Sequence, residues 1–169
     1  MSVFRSQLLD GRAVALAGAC DSLGDALAGL GARVGAVGEP PAAQEVDAVV
    51  FDAADAFGTG GQDGLRAATE AAWYGVHEVA TESLIPGEHG GKVVLIGPRP
   101  DAGQFAEAAR SALENLARTL SIEWARHRVT ATMIAPGTDT PDAQLAELVC
   151  YLISPAGDYF SGCRFSLGS

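Results

Sequence analysis

Short apolar runs and longer stretches of helical period alternate along this chain from end to end. The plainest run is KVVLI at 92–96, bounded by Gly90-Gly91 before it and Gly97-Pro98 after it. Comparable runs occupy 12–17, 33–37, 46–51 (VDAVVF), 129–135 and 164–167. Continuous, β-branched-rich runs of this length, closed by Gly and Pro, are the pattern of strands buried on both faces. Between them the apolar spacing lengthens to three and four. Leu65, Ala68, Ala72, Val76 and Val79 share one face of a helix running to about 84, and Leu113, Leu116, Leu120 and Trp124 form the seam of another over 105–125. Shorter helices are expected at 25–30 and about 142–153. Gly38-Glu39-Pro40-Pro41 cannot continue a strand, and 55–64 reads as a flexible, Gly-rich loop.

Strand-helix alternation of this kind predicts an α/β fold: a doubly wound, mostly parallel sheet with helices on both faces. No repeat, linker or low-complexity tract interrupts it, so 1–169 is expected to form a single domain.

Charge narrows the partners. The formal net charge is −10, spread along the chain. An acidic surface repels the phosphates of nucleic acid and of anionic lipid, so neither is an expected partner. No apolar stretch approaches bilayer-spanning length. The apolar run 13–19 is short for a signal peptide, and Ala17-Gly18-Ala19-Cys20 resembles a lipoprotein box only loosely. Cys20, Cys150 and Cys163 are odd in number and lack metal-ligand spacing, which fits reduced thiols in a cytoplasmic protein.

The segment 105–125, FAEAARSALENLARTLSIEWA, resembles the long helix of the short-chain dehydrogenases/reductases. The resemblance continues through GGKVVLIG, VTATMIAPGT and AELVCYLISPAGDYFSGCRFSLG, in the family's order. It implies a Rossmann-like sheet of the short-chain dehydrogenase type. In the N-terminal half one helix-strand unit of that sheet is missing, because Val46 follows the second strand almost at once.

Carried over residue by residue, the resemblance also implies that the family's chemistry is gone. The helix normally carries a Tyr and, four residues on, a Lys. Here those positions hold Ala106 and Arg110, and a one-residue slip would offer only Phe105 for the Tyr. Alanine has no proton to give to a carbonyl oxygen. The family Ser after the central strand falls on Pro98, or on Gly97 in a slipped register, and the relay Asn falls on Ala72. Tyr74 lies close by but has Glu78, not Lys, four residues later.

The cofactor-binding pattern is equally depleted. The glycine motif maps onto residues 17–24, where Gly18 and Gly24 survive, Ser22 replaces the middle glycine and Asp21 brings negative charge to the pyrophosphate position. Asp52 stands in the family's Asn-Asn-Ala-Gly segment, Glu39 lies where a ribose-binding acid belongs, and Pro136-Gly137 follows the fifth strand. These are vestiges, equally at home in a turn and a solvated loop, and no cofactor is expected on this chain. No metal is expected either, since His77, His89 and His127 lie on separate elements. Arg99 and Arg110 are candidates for lining the vacated cleft and holding an anion, although surface arginines are the commoner explanation. Cys20, at a helix start, is offset by its neighbour Asp21.

Family members assemble through their two long helices and their last helix and strand. The matching segments here, 62–84, 105–125 and 143–167, are the best preserved. The resemblance therefore implies a non-catalytic subunit of a hetero-oligomer whose partner is a full-length, active, NAD(P)-bearing relative. A β-hydroxyacyl thioester or similar hydroxy/keto compound is the substrate expected for such a complex. The alternative is a homo-oligomer using the old cleft for cofactor-independent chemistry or for sensing a small ligand or NAD(P).

Overall fold

The computed structural model describes residues 7–18, 21–37, 46–87 and 89–168, with the side chain of Asp21 excepted. In chain order the elements are β1 (Ala13–Ala17), α1 (Asp21–Gly29), β2 (Arg33–Ala36), β3 (Ala48–Asp52), α2 (Ala54–Phe57) and α3 (Gly61–Val79). Then come β4 (Gly91–Ile96), α4 (Ala106–Glu123), β5 (Val129–Pro136), α5 (Asp142–Ile153) and β6 (Cys163–Leu167). A π-helical turn, Ala80–Leu84, extends α3, and 3-10 turns follow α4 and α5.

The six strands form one sheet in the order β2-β1-β3-β4-β5-β6, every pairing parallel. Alternation along each strand divides the core in two. Val49, Phe51, Val93, Leu95, Ala131 and Met133 point to the face covered by α3 and α4. Val14, Val50, Val94, Ile96 and Ile134 point to the opposite face, covered by α1 and α5. Both faces are buried, which is why the strands carry unbroken apolar runs instead of alternating with polar residues.

The chain order reverses between β1 and β3. β1 leads outward to β2, whereas β3 leads the other way to β4, β5 and β6. Such a switch point opens a crevice at the carboxyl ends of the two strands. Among the described residues β2 is the outermost strand on that side.

The segment 55–64 is not the flexible loop that its glycines suggest. Asp52 accepts a hydrogen bond from the Ala54 backbone N–H at 2.9 Å and so opens α2, whose Phe57 is fully buried. Gly60 forms a parallel bridge with Gln104, and the Gly61 N–H donates to the Gln104 carbonyl at 2.8 Å. The entries of α3 and α4 are clasped to each other. The glycines serve close backbone approach there, which composition alone cannot separate from mobility.

Candidate functional site

The crevice at the carboxyl end of the sheet is built from the ends of β1, β3, β4 and β5. Gly18 follows β1 with φ of +93°, and a Cβ there would lie 2.4 Å from the Asp52 carbonyl oxygen. Only glycine lets the two strand ends meet so closely. Asp52 ends β3 half-buried. Burial pushes its carboxyl above the ordinary value, the Ala54 N–H opposing that, with Asp55 raising it further and Arg99 lowering it. Gly24 sits on α1 against Leu16, and with Gly18, Asp25, Ala28 and Val34 it lines a groove of about 500 Å³. Glu39, Ala19 and Cys20 lie outside the described residues.

Across the crevice, Ala106 begins α4 and Arg110 lies one turn on; both are buried. Arg110 donates from Nη1 to the carbonyl oxygen of Pro98 at 3.1 Å and to that of Pro136 at 2.6 Å. Its Nε lies 3.0 Å from Glu107 Oε2, close enough for an ion pair but with no aligned hydrogen bond. Burial pulls the pKa of Arg110 below its ordinary value, while the Glu107 carboxylate opposes the shift.

Gly97 packs closely against two side chains. A Cβ there would stand 2.6 Å from Met133 Cε and 3.1 Å from Arg110 Cγ. A serine in the slipped register would require the Met133 terminal methyl to move aside.

Arg99 completes the closure from the rim. It donates to the carbonyl oxygens of Gly137 and Thr138 at 3.0 and 3.1 Å and pairs with Asp142 at 3.0 Å. The Gly137 N–H donates to Thr140 Oγ1 at 2.7 Å and to the Leu167 carbonyl at 2.6 Å. The loops after β4 and β5 and the end of β6 are thus fastened together. The expectation that Arg99 and Arg110 hold an anion fails on this geometry, because both guanidinium groups are committed to carbonyls and carboxylates of the chain itself.

Five of the positions singled out in the sequence, Pro98, Ala106, Arg110, Pro136 and Gly137, gather on the β4–β5 side of the crevice. Gly18, Gly24 and Asp52 gather on the β1 side. Ala72 is fully buried inside α3 as part of the core under the sheet. Tyr74 is 67% exposed. His77 stacks on Trp73 at 4.9 Å, and no group of metal-binding side chains occurs among the described residues. Glu107, Thr140 and Asp142 escaped the sequence reading. Glu107 could have been found from its i,i+3 spacing to Arg110, whereas Asp142 is 43 residues from Arg99 and leaves no local sign.

No protein-family model matches the sequence, and no curated protein does. Solved structures do match. The citronellol catabolism dehydrogenase AtuB of Pseudomonas aeruginosa PAO1 superposes with a TM-score of 0.72 at 20% identity, covering 98% of this chain and 97% of that one. A double mutant of the Serratia marcescens short-chain dehydrogenase/reductase gives 0.73 at 18% identity, covering 95% and 97%. The hydroxysteroid dehydrogenase of Escherichia coli gives 0.67 at 17%, covering 96% and 98%. The fold is that of the short-chain dehydrogenases/reductases. At this identity the likeness extends to architecture alone. The Arg110 side chain reaches the Pro98 carbonyl, so these two positions meet in space.

Proposed function

We propose that this chain is a non-catalytic, short-chain-dehydrogenase-like subunit that assembles with a full-length, active dehydrogenase or reductase. The observation that carries the reading is the self-occupied crevice. Arg110 spends its donors on Pro98 and Pro136, and Ala106 offers no proton one turn earlier. A carbonyl substrate needs a positioned acid and open space beside it. On the β4–β5 side Ala106 supplies no acid, and Arg110 is bonded to the backbone.

A scaffold kept without its chemistry retains value as an assembly surface. Two rings on α3, Trp73 and Tyr74, are 41% and 67% exposed, and Ile122 on α4 is 76% exposed. Apolar groups of this size left in water on two adjacent helices suit burial against a partner's helices. In this reading NAD(P) and the catalytic residues belong to the partner, and the complex oxidises or reduces a hydroxy/keto substrate such as a β-hydroxyacyl thioester.

The test is co-expression of the tagged chain with each full-length short-chain dehydrogenase of its own host, followed by pull-down. Stoichiometric recovery of one of them supports the reading, particularly if Tyr74→Glu abolishes it. Failure with every candidate removes it.

The groove beside Gly18 and Gly24 favours one second reading, that a nucleotide is sensed without being reduced or oxidised. Titration calorimetry that registers no heat with NAD(P)+ or NAD(P)H would dispose of it.

A further inference from the structure

The opposite edge of the sheet carries a hollow of about 510 Å³ at the amino ends of β1, β3, β4 and β5. Arg12, Lys92 and Arg128 all line it, against Asp47 and Asp158. Asp47 pairs with Arg12 and Asp158 with Lys92, so Arg128 leaves the lining with an excess of positive charge on a chain whose net charge is −10. We propose that this hollow is a binding site for a compact oxyanion, a phosphate or carboxylate group, separate from the crevice at the carboxyl edge and independent of the reading above.

Each cation is fixed by the backbone or by a carboxylate. Asp47 accepts from Arg12 Nη1 at 3.1 Å and from the Ala13 backbone N–H at 2.8 Å, so it holds the guanidinium at the mouth. Lys92, almost wholly buried, gives its ammonium protons to Asp158 at 2.6 Å and to the Ser154 and Leu152 carbonyls at 2.8 and 3.2 Å. It supplies field, not a direct bond.

Arg128 is the residue left to bind. It is exposed and forms no side-chain hydrogen bond or ion pair among the described residues. Its backbone is left-handed, with φ of +61°, an uncommon state for a bulky side chain. That state is locked by its neighbours. The Arg128 carbonyl accepts from Gly91 N–H at 3.3 Å, and a Cβ on Gly90 would lie 2.4 Å from the same oxygen. The left-handed state caps the 3-10 turn after α4, and Gly90 fits against its carbonyl, so the Arg128 side chain leaves the backbone from a fixed point. Thr130 lines the same hollow, and a threonine hydroxyl is able to donate to an oxyanion.

The experiment is amide chemical-shift titration of the intact chain with inorganic phosphate and, in parallel, with citrate, at low salt. The expected result is saturable shifts clustered at Gly90, Gly91, Val129 and Thr130. Arg128→Gly suits the left-handed backbone and removes the whole side chain, guanidinium included, and it should weaken binding about tenfold, the loss of one charge-assisted hydrogen bond. Arg66→Ala, on the exposed face of α3, removes the same charge elsewhere and should leave affinity unchanged. Absence of saturable shifts with both anions, or equal weakening by the two variants, overturns the proposal.

Discussion

Arg110 and Pro136 are joined by a 2.6 Å hydrogen bond from guanidinium to carbonyl, 26 residues apart and buried. The same guanidinium also holds Pro98, so one side chain spans the loops that leave β4 and β5. These loops border the crevice at the carboxyl end of the sheet. Here they are bound to each other by the chain's own cation.

Arg110→Ala should destabilise the protein by about 2–3 kcal/mol, because two buried carbonyls lose their charged donor. For a domain of this size that corresponds to a melting temperature lower by about 4–12 °C. Arg110→Lys should fall between the variant and the parent, since an ammonium is a point donor without the guanidinium's fork. Differential scanning calorimetry of the three proteins checks the order. An alanine variant as stable as the parent would mean that the contact contributes little.

How much of this was legible beforehand follows from what each level of structure depends on. All six strands and the long helices stand out, because burial on both faces demands unbroken apolar runs and one-sided burial demands spacings of three and four. Arg110 was found through its offset from Ala106 on a helix of recognisable pattern. Its partners were not, because Pro98 and Pro136 contribute only backbone carbonyls, which no side-chain pattern reports. The clasp between Gly60 and Gln104 was misread for a similar reason. Glycine permits both mobility and close approach, and the decision rests with a segment 44 residues away.

Asp52→Asn should stabilise the protein at neutral pH. Burial raises the folded-state pKa of Asp52 above the ordinary 3.8, so the folded state holds the proton more tightly than the unfolded chain. The stability linked to that proton is fully present below the unfolded pKa and is lost as pH rises through the folded value. Asparagine keeps an oxygen to accept from the Ala54 N–H and carries no charge to desolvate. Denaturant melts across the acid range should show the variant's advantage at neutral pH shrinking as the pH falls; a constant difference would count against this cause.

Cys150 should resist alkylation in the folded protein. It is buried, and desolvation pushes its thiol to about 11. The thiolate, which is the reactive form, is therefore scarce at pH 8. Mass spectrometry after iodoacetamide treatment should find Cys163, which is partly exposed, modified first, and Cys150 modified only in denaturant. Equal rates at the two sites would contradict the burial.

Lys92→Met should cost about 1–3 kcal/mol by leaving the Leu152 and Ser154 carbonyls without their donor. The loss should loosen the turn after α5 before it reaches the sheet, since Lys92 also anchors Asp158 there. Hydrogen exchange localised to 155–162 is the measurement, and unchanged protection in that stretch would refute the role.

The most direct test of the subunit reading is native mass spectrometry on the protein drawn intact from its host. The account predicts a mixed oligomer in which this chain accompanies a larger dehydrogenase and carries no nucleotide of its own. A homo-oligomer bearing additional small-molecule mass would contradict it.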